Sequence, residues 1–444
     1  MGYKPKYYVD ANAARQTLSN HMLVDGFDIV LDLAKSNAKL VDARTGKEYI
    51  DMFTSFASIP VRMNHPKMDN PEFVNYIGKL AINKIANSDI YTDVLATYVN
   101  TLFKVAVPSH FKYAFFIEGG GLAVENALKT AMDWKVRKNM AAGKGEKGTK
   151  IIHFKESFHG RTGYTMSLTN TDPNKVELFA KFDWPRIENP KIIFPETPEN
   201  TKKTIAAEKV AIDQIMAAFK NNPDEIAGII VETIQGEGGD NHFRPEFLKA
   251  LRKIADENEA LLIFDEVQCG LGITGAMWAH EHYGVNPDVM AFGKKMQVCG
   301  ILVGERVDEV PDNVFKKSSR INSTWGGNII DMVRSTRYLE IIEEDKLVEN
   351  AKNMGNYLKE NLINLEKELP NKITAVRGRG LFCAFDFINK DPNTRSKFLS
   401  ECSKNGLLIL PCGTNSIRFR PALDVRKQEI DETMVIIKKV LQSL

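Results

Sequence analysis

The chain has 444 residues, mass for two or three domains as a soft prior and ample for a sizeable core. Hydrophobic residues make up 43% and charged residues 26%, the balance of an ordinary globular protein rather than a disordered or fibrous one. The formal charge of +2 leaves no electrostatic footprint for nucleic acid.

The N-terminus, Met1-Gly2-Tyr3-Lys4-Pro5-Lys6, has no hydrophobic signal core, and Lys6 stands where a myristoylation signal needs Ser or Thr. Residues 1 to about 35 read as partly helical. Ala38 to Phe53 alternates around Asp42-Ala43-Arg44-Thr45-Gly46, which predicts a hairpin. Ser55 to Pro66 is a loop. Asn70-Pro71 opens a helix, and Asn87 to Val107 forms a second. Strands are then expected at 112–117, 150–154, 227–232, 261–264, 289–292 and 301–304, with helices at 122–138 and 244–257. Strands separated by helical patterns predict a mostly parallel sheet covered on both faces. Residues 312–328 are a loop and 329–365 two helices. Residues 373–387, 407–410 and 417–419 are strands of a smaller unit, closed by a helix from Arg426 to Leu441. No run approaches the roughly 18 apolar residues of a membrane span. Five scattered cysteines with no CxxC pair (Cys269, Cys299, Cys383, Cys402, Cys412) read as free thiols in a reducing cytoplasm.

Several segments hold residues suited to chemistry. Gly119-Gly120-Gly121 follows a strand and opens a helix, where bare backbone N–H groups can bind phosphate; a tight strand-to-helix turn needs the same glycines. In Ser157-Phe158-His159-Gly160-Arg161-Thr162, Phe158 could stack on a flat ring and Arg161 could fork onto a carboxylate, or they are a core and a surface residue. Val231 to Asp240 gathers three carboxylates and three glycines at a strand end, as a site or as a plain turn. Ser323-Thr324-Trp325-Gly326-Gly327-Asn328 offers hydroxyls. Alternation puts Arg418 and Arg420 on one strand face, as a carboxylate clamp or a solvated surface. Asp265 ends one apolar strand, and Lys294 follows Gly293 at the end of another. An apolar pocket there lowers a lysine's pKa and makes it a Schiff-base nucleophile, and the acid can keep a pyridine nitrogen protonated. A helix cap and a solvated lysine pair are the ordinary alternative. His280 and His282 stand two apart and form no metal-ligand set, and there is no GxSxG elbow.

Taken in order, the glycine turn, FHGR, VETIQGEGG, IFDEVQCG, the Gly-Lys after an apolar strand, STWGGN, RGRGLF and IRFRP resemble the class-III (omega) aminotransferases, which are fold-type I pyridoxal-phosphate enzymes. The resemblance covers nearly the whole chain. AVENALK, FHGRTGYTMSLTN, IQGEGGDNHF and FGKKMQVCG are most similar to the lysine 6-aminotransferase subgroup. It implies an α/β large domain with a mostly parallel sheet (66–330) and a small α+β domain built from both chain ends (1–65 and 331–444). It implies pyridoxal 5'-phosphate as cofactor and no metal. The implied reaction moves the terminal amine of L-lysine to 2-oxoglutarate, giving 2-aminoadipate 6-semialdehyde and L-glutamate, ping-pong through pyridoxamine phosphate.

By the same resemblance Lys294 is the Schiff-base lysine and proton shuttle, Asp265 pairs with the pyridine nitrogen, Gln268 bonds the phenolic oxygen and Phe158 stacks on the ring. Gly120 and Gly121 hold the phosphate, and Thr324 reaches it from a second subunit, which implies a homodimer with sites at the interface. Arg161 would hold the distal carboxylate and Arg418 the alpha-carboxylate of the keto acid, with Arg420 a second candidate. Glu237 would mask Arg418 when lysine binds and swing off for 2-oxoglutarate. Rival readings are an ornithine, acetylornithine or 4-aminobutyrate aminotransferase, a silent relative that binds the cofactor, and an aminomutase. Two departures from the family pattern stand out. Arg62 occupies a substrate-channel loop where relatives carry a small residue, so a long cation is expected to repel a cationic substrate or narrow its path. Glu118 to Gly121 lacks the usual phosphate-binding hydroxyl.

Overall fold

The computed structural model describes residues 3–444; Met1 and Gly2, part of the N-terminal segment read above, lie outside them. A hairpin forms where the alternation places it, β1 (Lys39–Val41) against β2 (Glu48–Asp51), with Leu40 opposite Tyr49. Helices Pro71–Leu80 and Asp93–Val105 follow. Pro71 stands in the first turn of its helix, and Asn70 accepts from the N–H groups of Glu72 and Phe73. The second helix starts later than expected, because Thr92 caps it by accepting from the Leu95 N–H.

The central sheet has seven strands: β3 (Phe111–Ile117), β4 (Lys150–Phe154), β5 (Arg186–Ile187), β6 (Ile226–Glu232), β7 (Leu261–Asp265), β8 (Val289–Phe292) and β9 (Cys299–Gly304). Their spatial order is β3-β9-β8-β7-β6-β4-β5, and β9 alone runs against its neighbours. Alternate residues feed two different cores. Ile229, Val231, Leu262 and Phe264 pack with the helices Pro198–Asn221 and Pro245–Glu257. Ala227, Ile230, Leu261 and Ile263 pack with the helix Gly120–Ala141. Burial on both faces is why these strands read as unbroken apolar runs.

After the helices Ile329–Glu344 and Leu347–Glu368 come β10 (Ile373–Arg379) and β11 (Phe382–Phe387). The apolar run at 407–410 is not one strand. β12 (Leu407–Leu408) pairs in parallel with β2, whereas β13 (Leu410–Cys412) pairs with β14 (Ser416–Phe419) in the sheet β10-β11-β14-β13. That split ties the N-terminal hairpin to the C-terminal part of the chain. Among the described residues no helix is long and apolar enough to cross a membrane, and no cluster of His, Cys, Asp or Glu has metal-holding geometry. All five cysteines are free.

Candidate active site

Three charged residues stand at the C-terminal ends of three adjacent parallel strands: Glu232 on β6, Asp265 on β7 and Lys294 just past β8. Open parallel sheets build sites at this edge, where loops diverge and helix N-termini converge. The chain turns sharply after β8, through Gly293 and a left-handed Lys294 at φ 50°. The Lys294 carbonyl accepts from the Gln297 N–H at 2.8 Å, whereas its Nζ has no hydrogen bond or ion pair among the described residues. Burial, and then the nearby Arg418 guanidinium, hold its amine below the ordinary 10.5, against an opposing pull from Glu237.

Asp265 is buried. Its Oδ2 lies 2.8 Å from His159 Nδ1, and its Oδ1 accepts from the Val267 N–H at 3.1 Å. Glu232 accepts from the Phe158 N–H at 2.9 Å and the Gly236 N–H at 3.1 Å, which anchors both flanking loops. The roles of His159 and Glu232 were not foreseen, since a histidine or glutamate in a loop motif carries no distinguishing signal until its partner is known.

The glycine turn and the FHGR loop fit into each other. A Cβ on Gly120 would stand 3.0 Å from Val267 Cγ1, and one on Gly121 3.3 Å from Thr162 Cγ2. Glycine therefore leaves the first N–H groups of the 22-residue helix Gly120–Ala141 bare.

Arg418 and Arg420 both point to Gln268, and there they part. Arg420 is fully buried, its two terminal nitrogens engage Asp240, and its guanidinium lies 3.3 Å from the Phe382 ring centroid. This corrects its reading as a second substrate arginine, because its fork is already occupied. Arg418 meets only the neutral Gln268 Oε1, at 3.3 Å, and its buried Nε has no partner among the described residues. Glu237 is not on Arg418 here: it accepts from Thr171 Oγ1 at 2.7 Å and pairs with Lys175. Arg161 and Thr324 are exposed. Arg62 departs from its expected role as a free cation. Its side chain is only 8% exposed, donates from Nε to Asp424 at 2.5 Å and lies 3.4 Å from Glu429. Its charge is matched, and it binds the loop to the C-terminal helix Lys427–Ser443 instead of obstructing a channel.

A family model described as Aminotransferase class-III matches residues 24–441. An L-lysine-epsilon aminotransferase of Mycobacterium tuberculosis (strain ATCC 25618 / H37Rv) is 48% identical over 431 residues, covering 96% of this chain and 94% of that protein. One from Streptomyces clavuligerus is 47% identical, covering 96% of this chain and 93% of that protein. A solved lysine aminotransferase from M. tuberculosis, in the internal aldimine form, superposes with a TM-score of 0.95 at 46% identity, covering 98% of this chain and all of that one.

The fold and the comparisons define a pyridoxal-phosphate-dependent transferase of fold type I. Its particular place follows: the chain belongs to the class-III aminotransferase family. The residues present fit the cofactor. The Gly120-Gly121 cradle suits a phosphate, buried Asp265 suits a ring cation, and the unpartnered Arg418 Nε suits a substrate carboxylate.

Proposed function

We propose that this protein is an L-lysine 6-transaminase, moving the terminal amino group of L-lysine to 2-oxoglutarate to give 2-aminoadipate 6-semialdehyde and L-glutamate. One observation carries the reaction class: Lys294, Asp265 and the Gly120-Gly121 turn converge at one sheet edge. The lysine assignment is supported by the 48% and 47% identity to L-lysine-epsilon aminotransferases.

Pyridoxal phosphate, when bound, supplies an electron sink for the charge that develops as the C–H bond beside the transferred nitrogen breaks. Every other part is done by this chain. Gly120 and Gly121 offer N–H groups to the phosphate. Asp265, fixed by His159 and by the Val267 N–H, holds a proton on the ring nitrogen. Phe158 covers one ring face. Gln268 has its oxygen taken by Arg418 and Arg420, which leaves its amide N–H to donate to the phenolic oxygen. Lys294 provides the nucleophile at Nζ, its amine held below the ordinary value by burial, and the same nitrogen takes and returns the proton at the reacting carbon.

Arg161 holds the distal carboxylate of lysine or 2-oxoglutarate, and Arg418 holds the carboxylate beside the ketone. Glu237 covers Arg418 when lysine presents its terminal amine and leaves it when the keto acid arrives. The functional protein is a homodimer in which Thr324 completes the partner's phosphate site. Exposed Ile82, Ile90, Tyr91 and Trp325 support that surface, with Lys84 lying 4.1 Å over the Trp325 ring. We place the domain boundaries near residues 66 and 330, and the protein in the cytoplasm, where five unpaired cysteines stay reduced.

A panel of amino donors with 2-oxoglutarate, read as glutamate formed, tests the assignment. The highest kcat/KM is expected for L-lysine. A higher value for ornithine, acetylornithine or 4-aminobutyrate would reassign the donor, and no transfer from any donor would make the protein a silent relative.

A further inference from the structure

Two cations compete for one carboxylate at this site. Arg418 is buried, faces only a neutral amide oxygen and leaves Nε without a partner. A buried unpaired guanidinium is unfavourable, and a carboxylate within reach would relieve it. Glu237 is close enough to act on both Arg418 and Lys294 through space. Yet its side chain lies on Lys175 and Thr171.

Lys175 is well placed to keep it there. It ends a single turn, Pro173–Lys175, that is capped by Asp172 and starts with a proline, so the backbone presenting the lysine is already fixed. Its ammonium lies 5.7 Å from the centroid of the Phe158 ring, beside the reacting centre. Glu237 stands between Gly236 and Gly238-Gly239, and its own carbonyl accepts from the Gly413 N–H at 2.7 Å. The backbone is pinned at that point while the side chain remains free to choose between partners.

We propose that Lys175 is a specificity-determining positioning residue that holds Glu237 off Arg418, so that the site rests open to the alpha-carboxylate of 2-oxoglutarate or glutamate. Lysine, or any other omega-amino donor, must draw Glu237 away from Lys175 before Arg418 is covered. The inference rests on the reaction proposed above and adds to it a residue that sets the balance between the two half-reactions. Both partners are partly exposed, with side-chain accessibilities of 24% and 21%, so the bias is a modest one.

The test measures each half-reaction separately on the holoenzyme, by the change in cofactor absorption. The donor half uses L-lysine and the other half uses L-glutamate. For Lys175→Met, KM for lysine is expected to fall about threefold and KM for glutamate to rise about threefold. Lys175→Arg keeps the ion pair and should restore both values. A loss of ordinary structural support would move the two constants in the same direction, and that outcome overturns the proposal. Removing a positive charge could also favour cationic lysine directly. Lys175→Met in a Glu237→Gln background separates the effects: no further change is expected there, and a persisting fall in the lysine KM would overturn the proposal. If wild type ignores lysine but uses another omega-amino donor, the substrate reading fails while the Lys175 test is repeated with that donor.

Discussion

Glu232 and Asp265 lie directly opposite each other at the ends of adjacent parallel strands, both buried. Burial, and then the neighbouring Asp265 carboxylate, push Glu232 well above its ordinary 4.5. Glu232 ties the Phe158 and Gly236 loops, which leaves Asp265 for the role proposed for it at the ring nitrogen.

A raised folded-state pKa contributes stability that is complete below the unfolded value and is lost as pH rises through the folded one. Wild type should therefore lose Tm relative to Glu232→Gln as pH is raised above 4.5 in cofactor-free protein. A Tm difference that does not vary with pH would show that Glu232 is ionised in the fold.

His159 acts through Asp265. Replacing it with Phe removes a buried hydrogen bond to a carboxylate, worth about 1.5–3 kcal/mol, and leaves Asp265 free to turn. Pyridoxal phosphate should bind about tenfold more weakly or worse, measured by fluorescence titration. Unchanged affinity would remove His159 from the account.

Two buried histidines predict acid sensitivity. Burial, and then Arg186, hold His153 down to about 3; burial, and then Arg379 and Arg377, hold His242 well below 6.5. Lowered values give stability that is full above 6.5 and is lost as pH falls toward the folded value. Each should remove up to about 1.4 kcal/mol per pH unit in that window. His153→Phe should flatten part of the decline in chemical denaturation curves between pH 6.5 and 4; an identical decline in the variant would point to other groups.

Arg62→Ala should cost stability and not substrate affinity. It strands Asp424, a carboxylate whose side chain is 10% exposed, at a cost of about 3 kcal/mol. Tm should fall while KM for lysine stays within about twofold. A fall in KM at unchanged Tm would restore the obstructing role expected from sequence.

Those contrasts mark what the sequence could convey. β4 and β8 were legible to the residue because short apolar runs end there at a polar or glycine break. The helix Pro198–Asn221 was not foreseen although Thr197 and Pro198 announce its start, since charged residues mask its apolar face. Pro392–Lys404 buries only Phe398 and Cys402 and so gives almost no pattern. Thr54 to Ala57 turns left-handed at four consecutive non-glycine residues, which no local signal predicts. In the site, motif order singled out Lys294, Asp265 and Arg418 as candidates. It could not reveal that Arg420 belongs to Asp240, 180 residues away, or that Glu237 rests on Lys175, 62 residues away. Such pairings exist only once the chain is folded.

The central claim is that this site takes the terminal amine of L-lysine through Lys294. The measurement is the visible spectrum of the cofactor-loaded protein before and after L-lysine, with no keto acid present. The account predicts a yellow band that bleaches with lysine and returns when 2-oxoglutarate is added. A yellow band that ignores lysine but bleaches with ornithine or 4-aminobutyrate would contradict the substrate, and a band that no amine changes would contradict the chemistry.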